Sequence, residues 1–141
     1  YHRSYNQKHN DVTNAIDESA VNLARDLKVS GILSITASGN SARKLAKYRP
    51  KEAIYAITHD DAVRQQLTLS WGVVPAFSVR KNSFGKTVRD VMKRGLEADI
   101  LNKKLSYILT AGDPIGVSGS TNMIYLLREK EMEFFRTLRP E

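Results

Sequence analysis

Apolar residues recur at helical spacing at Val12, Ile16, Ala20, Leu23 and Leu27, which predicts an amphipathic helix over residues 11–27 that ends at Lys28-Val29-Ser30-Gly31. The apolar run that follows predicts a buried strand over 32–36. Ser41 then opens a short helix to Lys47, which must stop near Tyr48-Arg49 because Pro50 lacks an N–H and restricts its predecessor. Residues 53–58 read as a second buried strand, and His59-Asp60-Asp61 as the cap of a helix reaching about Leu69. Trp71-Gly72 turns the chain into a third strand over 73–79, where Pro75 argues for an edge or bent position. Ser83 starts a longer helix through Ala98, with Val88, Val91, Met92 and Leu96 on one side. Residues 105–110 and 123–127 complete the strands.

Strands alternating with helices at these spacings predict an α/β fold with right-handed crossovers and helices on both faces of the sheet. The last two strands have no helix between them, so the connection 111–122 is a loop over the sheet end and the last strand joins antiparallel. The expectation is a three-layer α/β/α unit with a mostly parallel five-stranded sheet. Residues 1–10 read as an N-terminal linker or tail, 11–127 as the domain, and 128–141 as a helical extension or tail. In that last segment Met132, Phe134, Phe135 and Leu138 suit either a terminal helix that docks or a tail.

Composition narrows the function classes. A chain of 141 residues with 41% hydrophobic content makes one core, and no apolar stretch approaches the roughly 20 residues of a bilayer span. The net charge of +7 is dispersed and interleaved with acids, so solvated faces are preferred to a nucleic-acid surface, and no nucleic-acid or membrane partner is expected. Cysteine is absent, which excludes disulfides and thiolate chemistry. The three histidines give neither a metal cluster nor a Ser-His-Asp set at their spacing, and neither a dinucleotide fingerprint nor a P-loop follows the first strand. The expected compartment is the cytoplasm, and the Tyr1 start suggests a piece of a longer or processed chain.

Two hydroxyl-and-glycine loops carry the candidate chemistry. Thr36, Ala37, Ser38, Gly39, Asn40 and Ser41 follow the first strand and open a helix, where backbone N–H groups and hydroxyls can receive a phosphate. Ser118, Gly119, Ser120 and Thr121 precede the last strand. In α/β sheets ligands gather at the carboxyl ends of strands, so the two loops are expected to converge on one anion. Helix capping explains Ser38 and Ser41 equally well, and a surface loop explains Ser118 to Thr121. Arg80, Lys81 and Lys86 are candidates for second anion contacts. Trp71 reads as a packing residue at a strand entrance.

Six segments in order carry a resemblance: Ser-Ala-Val-Asn-Leu-Ala at 19–24, Ile35 through Arg43, Lys47-Tyr48-Arg49-Pro50, Ile54-Tyr55-Ala56-Ile57-Thr58, Trp71-Gly72-Val73-Val74-Pro75 and Ser118-Gly119-Ser120-Thr121-Asn122. Over about residues 13–127 the chain resembles the C-terminal, allosteric domain of pyruvate kinase. The resemblance implies a regulatory and oligomerisation domain that binds a phosphorylated sugar or nucleotide effector and contributes to a homotetramer. It implies no catalytic residue, cofactor or metal here. Glycolytic phosphoryl transfer from phosphoenolpyruvate to ADP, with magnesium and potassium, would lie on a catalytic barrel domain of the same chain, which needs about 250 residues. The family's phosphate site maps onto Thr36, Ala37, Ser38, Asn40, Ser41 and residues 118–121. Ala37 stands where some fructose-bisphosphate-sensitive members have Lys, and 81–87 lacks the Trp and Arg pair that holds a second phosphate, so a monophosphate is at least as well supported as a bisphosphate. The alternative is a free-standing phosphometabolite sensor without kinase activity.

Overall fold

The computed structural model describes residues 5–80, 82–112 and 121–138. The elements run α1 (Tyr5–Leu27), β1 (Gly31–Ile35), α2 (Asn40–Lys47), β2 (Ala53–Thr58), α3 (Asp61–Leu67), β3 (Val73–Ser78), α4 (Phe84–Glu97), β4 (Tyr107–Gly112), β5 (Thr121–Leu127) and α5 (Glu129–Arg136). The five strands form one sheet in the order β3-β2-β1-β4-β5. β1 pairs in parallel with β2 and with β4, β2 in parallel with β3, and β5 closes the sheet antiparallel to β4. This is the α/β architecture that the element order predicts.

Helices cover both faces. Alternate residues of β1 point opposite ways, so Ile32 packs with Ala20, Ala24, Leu45, Ile54 and Ile108 under α1, α2 and α3. Leu33 and Ile35 pack with Val88, Val91, Met92, Leu109, Met132 and Phe135 under α4 and α5. α5 therefore docks: Phe135 is buried and lies edge-on to Phe84 and Tyr125 at centroid separations of 6.1 and 5.5 Å.

Local chemistry sets several boundaries. Asp60 caps α3, accepting from the N–H groups of Ala62 at 2.8 Å and Val63 at 3.4 Å. Pro75 lies on the edge strand β3, and the β2–β3 register shifts beside it between Ala56 and Ile57, so both the edge and the bend expected of a strand proline are present.

α1 departs from its predicted face. Ala20 is buried as expected, but Val12, Leu23 and Leu27 are exposed, and the buried stripe consists of Thr13, Asp17, Ala20, Val21 and Ala24. The helix is rotated so that a carboxylate, which periodicity assigns to solvent, faces the interior. The helix also begins at Tyr5, earlier than the apolar spacing indicated.

Candidate functional site

β1 delivers the first loop to the carboxyl rim of the sheet. The Thr36 N–H donates to the Ile57 carbonyl at 2.9 Å, continuing the ladder one residue past the strand. The chain then turns on its own hydroxyls: Thr36 Oγ1 accepts from the Gly39 N–H at 3.0 Å, and Ser38 Oγ from the Asn40 N–H at 3.4 Å. Gly39 sits at φ 87°, the left-handed region, and a Cβ there would lie 3.0 Å from Leu67 Cδ2 and 3.2 Å from Arg43 Nη1. Only glycine takes this position without strain. Arg43 clamps the turn from outside, its Nη1 donating to the Ser38 carbonyl at 3.3 Å and its Nε to Ser70 Oγ at 3.3 Å.

The first turn of α2 has no acidic residue, and its N-cap glycine brings no side-chain acceptor. Its backbone N–H groups and the positive end of the helix dipole are therefore matched to an anion. Beside the exposed Asn40, a groove of about 580 Å³ between α1 and α2 is lined by Asn14, Asn40, Lys44, Lys47 and Tyr48, with no carboxylate among them.

The second loop lies mostly outside the described residues, and Ser118, Gly119 and Ser120 with it. Its last residue does not. Ser34 pairs with Thr110 in the parallel β1–β4 register, which brings Thr36 level with Gly112, and Thr121 opens β5 opposite Gly112. Thr36 and Thr121, one from each sequence-identified loop, thus share one rim. Arg80 follows β3 at that same rim but two strands from β1, about 10 Å at ordinary strand spacing. Lys86 lies in the first turn of α4, and Lys81 is outside the described residues.

Below the loop lies a polar layer that sequence reading missed. Thr13, Asp17, Ser34, Thr36, Ser41, Thr110 and Thr121 are all buried. Ser34 and Thr110 sit on the sheet face opposite the Leu33, Ile35 and Leu109 cluster. Ser41 Oγ donates to Asp17 Oδ1 at 2.9 Å, while Asp17 Oδ2, Ser34 Oγ and Thr110 Oγ1 are buried without a hydrogen-bond partner. Burial pushes the Asp17 carboxyl from its ordinary value up to about 6, opposed by the Ser41 hydrogen bond and the Lys44 charge. Buried polar atoms of this kind are uncommon in a merely structural core. The available sequence signal was the Ser and Thr content of β1 and β4, strands otherwise apolar enough for burial on both faces.

Ser41 is therefore not simply a hydroxyl facing outward. Its side chain is turned into the protein toward α1, leaving its backbone at the helix start. Trp71 also differs from expectation: it is 74% exposed, with the Arg49 guanidinium 5.5 Å from its ring centroid, and so is not a core packing residue. Among the described residues no group of three or more His, Asp or Glu side chains gathers. No described helix is long and apolar enough to cross a membrane.

Residues 14–127 match the family model for the pyruvate kinase alpha/beta domain. The chain is 35% identical over 122 residues to the pyruvate kinase of Clostridium acetobutylicum, covering 86% of this chain and 26% of that protein. It is 34% identical over 119 residues to the pyruvate kinase of Lactobacillus delbrueckii subsp. bulgaricus, covering 84% of this chain and 20% of that protein. The crystal structure of a pyruvate kinase from Cryptosporidium parvum superposes with a TM-score of 0.68 at 28% identity, covering 83% of this chain and 22% of that one. The chain thus spans about a fifth to a quarter of the proteins it matches. By fold, by matched residues and by relatives, it belongs to the pyruvate kinase alpha/beta domain family.

Proposed function

We propose that this chain is the regulatory and assembly module of a pyruvate kinase and binds a phosphorylated sugar or nucleotide effector at the Thr36–Ser41 loop. The observation that supports this reading is the first turn of α2. It is free of acidic residues, preceded by a glycine-dependent turn, and set on the same sheet rim as Thr121, which lies two strands away. A phosphate placed there takes backbone N–H groups and the helix dipole. Arg80 follows β3 on the same rim, two strands from β1, where it is a candidate contact for a second anionic group.

In this reading catalysis lies on a barrel domain of the longer enzyme, where phosphoryl transfer from phosphoenolpyruvate to ADP uses magnesium and potassium. Effector binding stabilises one of two arrangements of a homotetramer, and the coupling to the distant site is bounded by the effector's differential affinity, typically about 1–3 kcal/mol. The test is thermal melting of the chain with fructose 1,6-bisphosphate, a sugar monophosphate and AMP. At least one should raise the melting temperature saturably, since a ligand at a hundred times its Kd adds about 2.7 kcal/mol. If none does, the domain only assembles subunits.

A further inference from the structure

We propose that Asp17 is a proton-linked positioning residue of the anion site: sealed between α1 and α2, its carboxylate holds Ser41 in place and takes up a proton from solvent when an anion settles on the first turn of α2. This rests on the anion site proposed above. Asp17 is fully buried, its Oδ1 accepts from Ser41 Oγ at 2.9 Å, and its Oδ2 has no partner. Its charge thus lies one hydrogen bond from the helix start that would receive the anion.

The surroundings leave that charge under-compensated. On α2, Lys44 is the cation that acts on it, while Arg43 turns away toward Ser70. On β1 and β4 the groups of the buried polar layer are the neutral hydroxyls of Ser34 and Thr110. The described part of β5 has no charged residue, and Glu18, beside Asp17 on α1, is exposed. An incoming anion adds like charge across a poorly solvated gap and so favours the neutral acid. Because Asp17 already titrates near 6, the proton is available at modest cost in the physiological range. By reciprocity, anion affinity rises as pH falls through the Asp17 titration. A carboxylate that opposes its own ligand at high pH makes the site a joint sensor of anion and proton.

Sulfate is the appropriate probe, because it stays a dianion where phosphate esters change charge. Sulfate affinity of the 141-residue chain is measured by titration calorimetry between about pH 5 and pH 8 at constant ionic strength, for the unaltered chain and for Asp17→Asn. Asp17→Asn leaves every other titratable group of the chain in place, so the difference between the two profiles isolates Asp17. The expected result is that the unaltered chain loses about fivefold more affinity across the window than Asp17→Asn, which binds more tightly at the alkaline end. Calorimetry of the unaltered chain in two buffers of different ionisation heat should also report net proton uptake near pH 6.5, an arm that needs no variant to fold. Saturable sulfate binding with identical pH profiles, or without proton uptake, overturns the role of Asp17 and leaves the anion site standing. No saturable sulfate binding at any pH overturns both.

Discussion

Replacing Asp17 by Asn should change the pH dependence of folding stability in a defined way. The Asp17 carboxyl is raised from 3.8 to about 6 in the folded chain, chiefly because burial disfavours its charge. A raised carboxyl contributes stability that is intact below its unfolded value and is lost as pH climbs through its folded value. The rise corresponds to about 3 kcal/mol, of which roughly half is lost between pH 5 and pH 8. Asn keeps an oxygen for the Ser41 hydroxyl and cannot ionise. Its absolute effect includes an amide donor that needs a partner, about 1–3 kcal/mol if it finds none, so the informative quantity is the change with pH. Urea denaturation followed by circular dichroism should show Asp17→Asn gaining on the order of 1–2 kcal/mol on the unaltered chain from pH 5 to pH 8. A stability difference that is the same at both ends would refute the buried, ionising Asp17 described here.

Gly39→Ala should destabilise the chain by about 1–2 kcal/mol, since it combines a left-handed backbone with a close approach to Leu67, whereas Gly85→Ala, whose added Cβ meets only Leu138 at 3.5 Å, should stabilise α4 by about 0.5 kcal/mol. Chemical denaturation of the pair checks both signs. Phe135→Ala should cost about 3–5 kcal/mol, because the ring is buried against Phe84 and Tyr125; a change below about 1 kcal/mol would mean that α5 is not docked. Asp60→Ala should cost about 1 kcal/mol through loss of the α3 cap, measured in the same assay.

The fold was legible because local signals agreed. Pro50, Asp60, Pro75 and the antiparallel pairing expected of the last strand each had one economical reading, and each holds in the structure. α1 shows where pattern reading fails. A stripe of Val12, Ile16, Leu23 and Leu27 outweighs Thr13 and Asp17 on any hydropathy scale, yet packing against α2 and the polar parts of β1 and β4 turned the helix the other way. The first loop was visible from its glycine and hydroxyls, but not its division of labour. A Ser41→Glu change looks from sequence like the clean introduction of a negative charge at the expected phosphate loop. In the structure it sets a second carboxylate against buried Asp17, and its effect on binding would be confounded with loss of stability. A contact between residues 24 apart in sequence leaves no trace in periodicity.

Amide chemical-shift titration by NMR with a sugar monophosphate shows whether the chain receives a phosphate at the start of α2. A phosphate bound there produces saturable shifts that are largest at Gly39, Asn40, Ser41, Ala42 and Thr121. Saturable shifts centred elsewhere, with these amides unmoved, would contradict it.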